Sequence, residues 1–162
     1  MKSSDVRDRA LRDQVVALVS GRGAHASVEK IVQGIPVAVR GKRPRGLPHS
    51  PWEILEHLRI AQWDILEYAR NPAHVSPAWP TGYWPTVPEP PNARAWARSV
   101  AAFLADLRSV QDLVADPKTD LLAPIPHGQD GHTVLREALL VADHNAYHGA
   151  ELVTVRRLLA AW

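Results

Sequence analysis

The placement of proline constrains this chain more than any other feature. A proline inside a helix removes a hydrogen bond and clashes with the preceding turn, so helices must fit between the prolines. The chain has fourteen of them, and seven crowd into residues 72–91. The proline-poor intervals carry apolar residues at helical spacing. Val6, Ala10, Leu11, Val15, Leu18 and Val19 predict a first helix over 6–19, interrupted by Gly21 and Gly23. A shorter helical piece is expected from about Ala24 to Gly34, stopped by Pro36. Ser50-Pro51-Trp52-Glu53 reads as a capping box with proline at the first helical position. It opens a second helix, with Ile54, Leu58, Ala61 and Ile65 as its stripe, that ends at Asn71-Pro72. Asn92 is the expected cap of a third helix, which ends before Pro117. A fourth, from about Thr133 to Ala160, is apolar over most of its circumference, as a central helix is.

No segment alternates as a strand does, so the expected fold class is all-α, a four-helix bundle with long Pro-rich interhelical loops. The linker between the second and third helices bears on topology. A helix of about 21 residues is ~30 Å long, and a linker of about 20 residues reaches ~60 Å when extended. It is long enough to let helix three run parallel to helix two, which its length permits without requiring. A chain of 162 residues is one domain's worth, so residues 1–162 are expected to form a single domain.

The histidines carry the chemistry. His144 and His148 are four apart on the fourth helix, so both rings leave one face, a turn apart. Leu140 and Val141 precede them on that stripe, and Glu151, Leu152 and Val155 follow. Imidazoles on an inward apolar face are costly unless hydrogen-bonded or bound to metal. Chance alone supplies about 0.3 such pairs in a chain with this histidine content, so the spacing by itself is weak. His57 strengthens it. It lies two turns into the second helix beside the Ile54–Leu58–Ala61 stripe and can face the same interior. Three imidazoles from two helices make a three-nitrogen site with an open position, as catalytic zinc uses. The alternative for His57 is a half-buried histidine bonded to a carbonyl.

Glu151 shares the face of His144 and His148 and is a candidate fourth ligand or base, or an exposed helix glutamate. Asp64, two turns after His57, is a weaker candidate base, and Asp143, ~100° around the helix from His144, is expected to meet solvent or another helix. His49 precedes a helix cap, His74, His127 and His132 sit in or beside loops, and His25 is expected at the surface or as a supporting donor. Tyr147 is expected to pack rather than act. The segment from Trp79 to Trp84 is read either as a lid over the site or as a loop packed on the bundle, with the lid favoured for a loop this long.

Composition narrows the rest. There is no cysteine, so any metal is held by nitrogen and oxygen, and a thiol nucleophile has to arrive as a cosubstrate. The formal net charge is only +2, and the densest basic cluster, Arg40, Lys42, Arg43 and Arg45, reads as a solvated loop; no nucleic-acid role is expected. No apolar stretch approaches the ~18 residues of a membrane span. The charged start, MKSSDVRDRALRD, lacks a signal-peptide core, so a cytoplasmic location is expected.

Two segments, HSPWEILEHLRIAQWDI from His49 and DHNAYHGAELVTVRRLLAAW from Asp143, resemble the DinB/YfiT-like superfamily of metal-dependent enzymes. The YWP segment and GHTVLREALL before the last helix fit the resemblance, which covers nearly the whole chain. It implies a bundle with up-down-down-up connectivity. It also implies a divalent metal (zinc first, nickel or iron in some members) on His57, His144 and His148. Members often read H-x-G-Q after the second histidine of the last helix, whereas this chain reads His148-Gly149-Ala150-Glu151. Assayed relatives include transferases and an isomerase that use low-molecular-weight thiols, and others are taken for hydrolases. The expected function is therefore a metal-dependent transferase or hydrolase that activates a thiol or water against a small-molecule substrate. A non-catalytic metal-binding or sensor bundle, or histidines serving only as core polar residues, are the alternatives, and a homodimer is left open.

Overall fold

The structure, a computed structural model, describes residues 3–21 and 23–162. They form five α-helices: α1 Ser3–Val19, α2 Val28–Val32, α3 Pro51–Arg70, α4 Ala95–Ala115 and α5 Val134–Leu158. Short 3-10 turns occupy Val37–Val39 and Thr81–Tyr83. There is no β-strand among the described residues, and one isolated bridge pairs Pro124 with Thr133. No described helix is long and apolar enough to cross a membrane.

The helix ends follow local chemistry. Ser50 accepts from the Glu53 amide while Glu53 accepts from the Ser50 amide, and Pro51 opens α3, so the expected capping box is present. Thr133 caps α5 through the Arg136 amide. After α1, Gly21 adopts φ 65°, which glycine reaches without strain, and a Cβ there would meet Val28 at 3.0 Å. The cap expected of Asn92 is not found. Its side chain accepts from the Arg94 amide in a turn before α4, and Arg94 takes the cap position with no side-chain bond. The local turn won because Asn bonds the backbone two residues on as readily as it caps.

α3 packs against α4 and α5, and α1 packs against the same two helices. The core joins Ile54, Leu55 and Leu58 of α3, Phe103 and Val114 of α4, and Val141, Leu152 and Val155 of α5. Trp52 meets Trp96 with ring centroids 6.4 Å apart, and Gln62 Nε2 donates to the Phe103 carbonyl at 2.7 Å. Asn145 in turn donates to Gln62 Oε1 at 2.8 Å, so one buried amide pair ties three helices together a turn from the histidines. Arg12 reaches from α1 to the carbonyls of Val114, Asp116 and Thr119, satisfying groups at the end of α4. α5 differs from expectation: Leu139, Tyr147 and Leu158 are exposed, so it buries one stripe rather than most of its circumference. α5 packs against four neighbours, α1, α2, α3 and α4, and still leaves one side exposed. The basic cluster is exposed at Lys42, Arg43 and Arg45, as a solvated loop would be, and half-buried at Arg40. Arg40 donates to the Ile35 carbonyl and lies over Trp96, and Arg43 pairs with the buried Glu53.

Candidate metal centre

α3 and α5 face each other where His57 meets His144 and His148. The periodicity of α5 puts its two rings on one side, one turn apart, and α3 delivers His57 between them. His57 Nε2 lies 3.1 Å from His148 Nε2 and 3.1 Å from His144 Nε2. The three side chains form a group able to hold a metal ion. A tetrahedral cation ~2.05 Å from each nitrogen needs about 3.3 Å between nitrogens, so the observed spacing fits.

The hydrogen bonds on the far side of each ring sharpen that fit. His57 Nδ1 lies 2.9 Å from the Tyr83 carbonyl, which only accepts, so Nδ1 carries the hydrogen and Nε2 is bare. His148 Nδ1 lies 2.8 Å from Glu151 Oε2, with the same consequence for a neutral ring. Burial, helped by His148, pushes His57 down despite the Tyr83 bond, and so favours the neutral ring. Burial pushes Glu151 up, but hydrogen bonds from His148 and His49 outweigh it and keep it a carboxylate. When both rings are neutral, two lone pairs face each other at 3.1 Å. A shared proton relieves one such pair, whereas one cation relieves all three nitrogens.

His144 is held differently. Burial, with the nearby His148 and His57, pushes it down to about 3, so it is neutral. Its Nδ1 is buried with no partner. Without metal, its Nε2–H can donate to His57; ligation moves the hydrogen to Nδ1, where no acceptor waits. That tautomer costs on the order of 1–3 kcal/mol, which the bond to a cation must exceed.

Three further residues close a ring of contacts around the site. The Trp84 indole stacks on His57 at 3.9 Å and 1° and also on His49 at 4.1 Å and 21°. His49 Nδ1 bonds Glu151 Oε1 at 2.9 Å. The path His57–Trp84–His49–Glu151–His148 thus joins the loop after α3, the segment before it, and α5. A family model described as the DinB superfamily matches residues 22–152, most of the chain, including all of these side chains. The chain belongs to the DinB superfamily. No curated protein and no solved structure matches it at a significant level.

Within this DinB-superfamily chain, the two carboxylates singled out from sequence stand outside the converging group. Glu151 has both oxygens on histidine Nδ1 atoms. Asp64 has one oxygen on His74 Nε2 at 2.7 Å and the other on the Tyr83 hydroxyl at 2.6 Å. Burial first, then Asp64, pushes the Tyr83 phenol up to about 12, so it stays a donor. His25 and Asp143 are exposed as expected. Tyr147 is 72% exposed and meets His148 edge-on, so it does not pack the core as expected. The loop's Tyr83 and Trp84 pack onto the site while Trp79 is exposed. Sequence reasoning set His49 and His74 aside as poorer candidates and gave Tyr83 and Trp84 no role beyond that of a lid segment. None has a periodic relation to the ligand candidates, and the Tyr83 contribution is a backbone carbonyl, which residue type does not encode.

Proposed function

We propose that this chain is a metal-dependent enzyme of the thiol-transferase or hydrolase type, with one divalent metal, zinc first, on His57, His144 and His148. The observation that carries it is the convergence of three imidazole nitrogens, with His57 Nε2 3.1 Å from the Nε2 of both His144 and His148, while the far nitrogens of His57 and His148 already bond the Tyr83 carbonyl and Glu151. A cation held by three neutral imidazoles keeps its full charge and supplies Lewis acidity toward a thiol or water. The chain's own contribution is orientation. Tyr83 and Glu151 fix two ring tautomers, Trp84 covers one face of His57, and Asp64 and Glu151 serve as acceptors that hold other side chains. With no cysteine in the chain, the thiol is a small-molecule cosubstrate.

The same reading covers architecture: α1, α3, α4 and α5 form one up-down-down-up bundle domain, with α3 and α4 parallel. Its support is that Trp52 pairs with Trp96 and Gln62 with Phe103, partners that advance together. His57 pairs with His148 while Tyr68 pairs with His132, partners that advance oppositely.

The test is turnover of zinc-loaded protein with several cellular thiols against halogenated or epoxide electrophiles, beside esters and amides without thiol. Thiol-dependent turnover lost in His148→Ala is expected for transfer, and thiol-independent turnover with the same loss for hydrolysis. Stoichiometric metal with neither activity across zinc, nickel and iron overturns the enzyme reading in favour of a metal-binding or sensor bundle.

A further inference from the structure

Tyr83 touches α3 at two levels. Its carbonyl accepts from His57 Nδ1 at 2.9 Å, and its hydroxyl donates to Asp64 Oδ2 at 2.6 Å. Those two α3 residues are seven apart, about 10 Å along the axis. The tyrosine therefore lies along two turns of the helix, with its ring bridging the distance. Asp64 is only 8% exposed, and a buried carboxylate is tolerated where donors surround it. Its second oxygen takes His74 Nε2 at 2.7 Å, so it grips the loop at both residue 74 and residue 83. The loop is anchored again where the Ser50 hydroxyl donates to the Pro88 carbonyl. Between these anchors lie the Tyr83 carbonyl and the Trp84 ring, both of which contact His57.

We propose that Asp64 and Tyr83 are positioning residues for the metal centre: the Asp64 clamp seats the Tyr83 carbonyl on His57 Nδ1 and so keeps His57 Nε2 bare and aimed at the other two histidines. The inference rests on the metal reading given above. It assigns Asp64 a task other than that of a base. Without the clamp the carbonyl drifts, Nδ1 loses its acceptor, and His57 samples the Nε2–H tautomer, which cannot bind a cation.

The experiment compares wild type with Tyr83→Phe and Asp64→Ala, using Tyr68→Phe as a matched control. The Tyr68 hydroxyl contacts His132 Nδ1 at 3.0 Å and accepts from the Gln129 amide at 2.6 Å, so its loss frees a different loop and leaves His57 untouched. Two quantities are read: the tautomer of His57 by long-range nitrogen–proton NMR of metal-free protein, and the cobalt(II) dissociation constant from visible absorption. The wild type and Tyr68→Phe should show His57 as Nδ1–H. Tyr83→Phe and Asp64→Ala should show a mixture and bind cobalt about tenfold to a hundredfold more weakly. An unchanged tautomer and cobalt affinity in Tyr83→Phe, or equal weakening in Tyr68→Phe, overturns the inference. Tyr83→Phe alone decides the matter if Asp64→Ala does not fold. If the wild type takes up no cobalt, the metal reading fails separately and the tautomer comparison still decides the clamp.

Discussion

Glu151 has two carboxylate oxygens, and each accepts from a different histidine, His148 on one side and His49 on the other. A glutamine, the residue the family resemblance would place here, has one accepting oxygen and one donating amide, so it can accept from His148 while holding His49 only where His49 Nδ1 accepts. The charge of the carboxylate also makes the His148 ring a better donor to a cation. Glu151→Ala is therefore expected to weaken zinc binding about tenfold to a hundredfold, and Glu151→Gln by only a few-fold, as competition titration against a chelating dye would show. Equal affinity in wild type and Glu151→Ala would mean that His148 needs no orienting partner. The ligand candidates themselves were legible in sequence, because a four-residue spacing on a helix fixes which rings share a face. The role of Glu151 was legible only as far as its face. Which atoms its oxygens meet depends on His49, a residue 102 positions away.

At the scale of elements, Ser50 connects a helix start to a loop. Its oxygen accepts from the Glu53 amide, and its hydroxyl donates to the Pro88 carbonyl. Ser50→Ala removes both contacts and should cost ~1–2 kcal/mol, a fall in Tm of roughly 3–6 °C. The capping half of that effect was readable from Ser50-Pro51-Trp52-Glu53, since a capping box is local chemistry. The loop half was not. Residues 72–91 have no period to read, and their positions are set by single contacts with α3 and with the segment before it. The helices themselves were readable because the prolines confine them. The misread cap at Asn92 and the overstated burial of α5 both reflect tertiary placement, which decides between two local options of similar energy.

For the whole molecule, the buried histidines couple stability to pH. His144 is pushed down to about 3 from 6.5, and His57 is also pushed down, so the fold excludes protons that the unfolded chain binds. A depressed folded pKa gives stability that is complete above about 6.5 and is lost as pH falls toward the folded value. The metal-free protein should thus hold a level urea midpoint above pH 7 and decline between pH 6.5 and 5, above the range where ordinary carboxylates titrate. His144→Leu should flatten that decline; an equally steep decline in the variant would place its origin elsewhere. The core that joins α1 to α5 is apolar and continuous without the histidines, so metal-free protein should remain helical. Metal binding and folding are then separable, which makes the central claim directly measurable. Zinc content is determined after loading and removal of excess, for wild type and His57→Ala, both shown to be helical by circular dichroism. One zinc per wild-type chain and almost none in His57→Ala is the expected result. A wild type without zinc, or a His57→Ala variant that keeps a full equivalent, would contradict a centre built from α3 and α5 together.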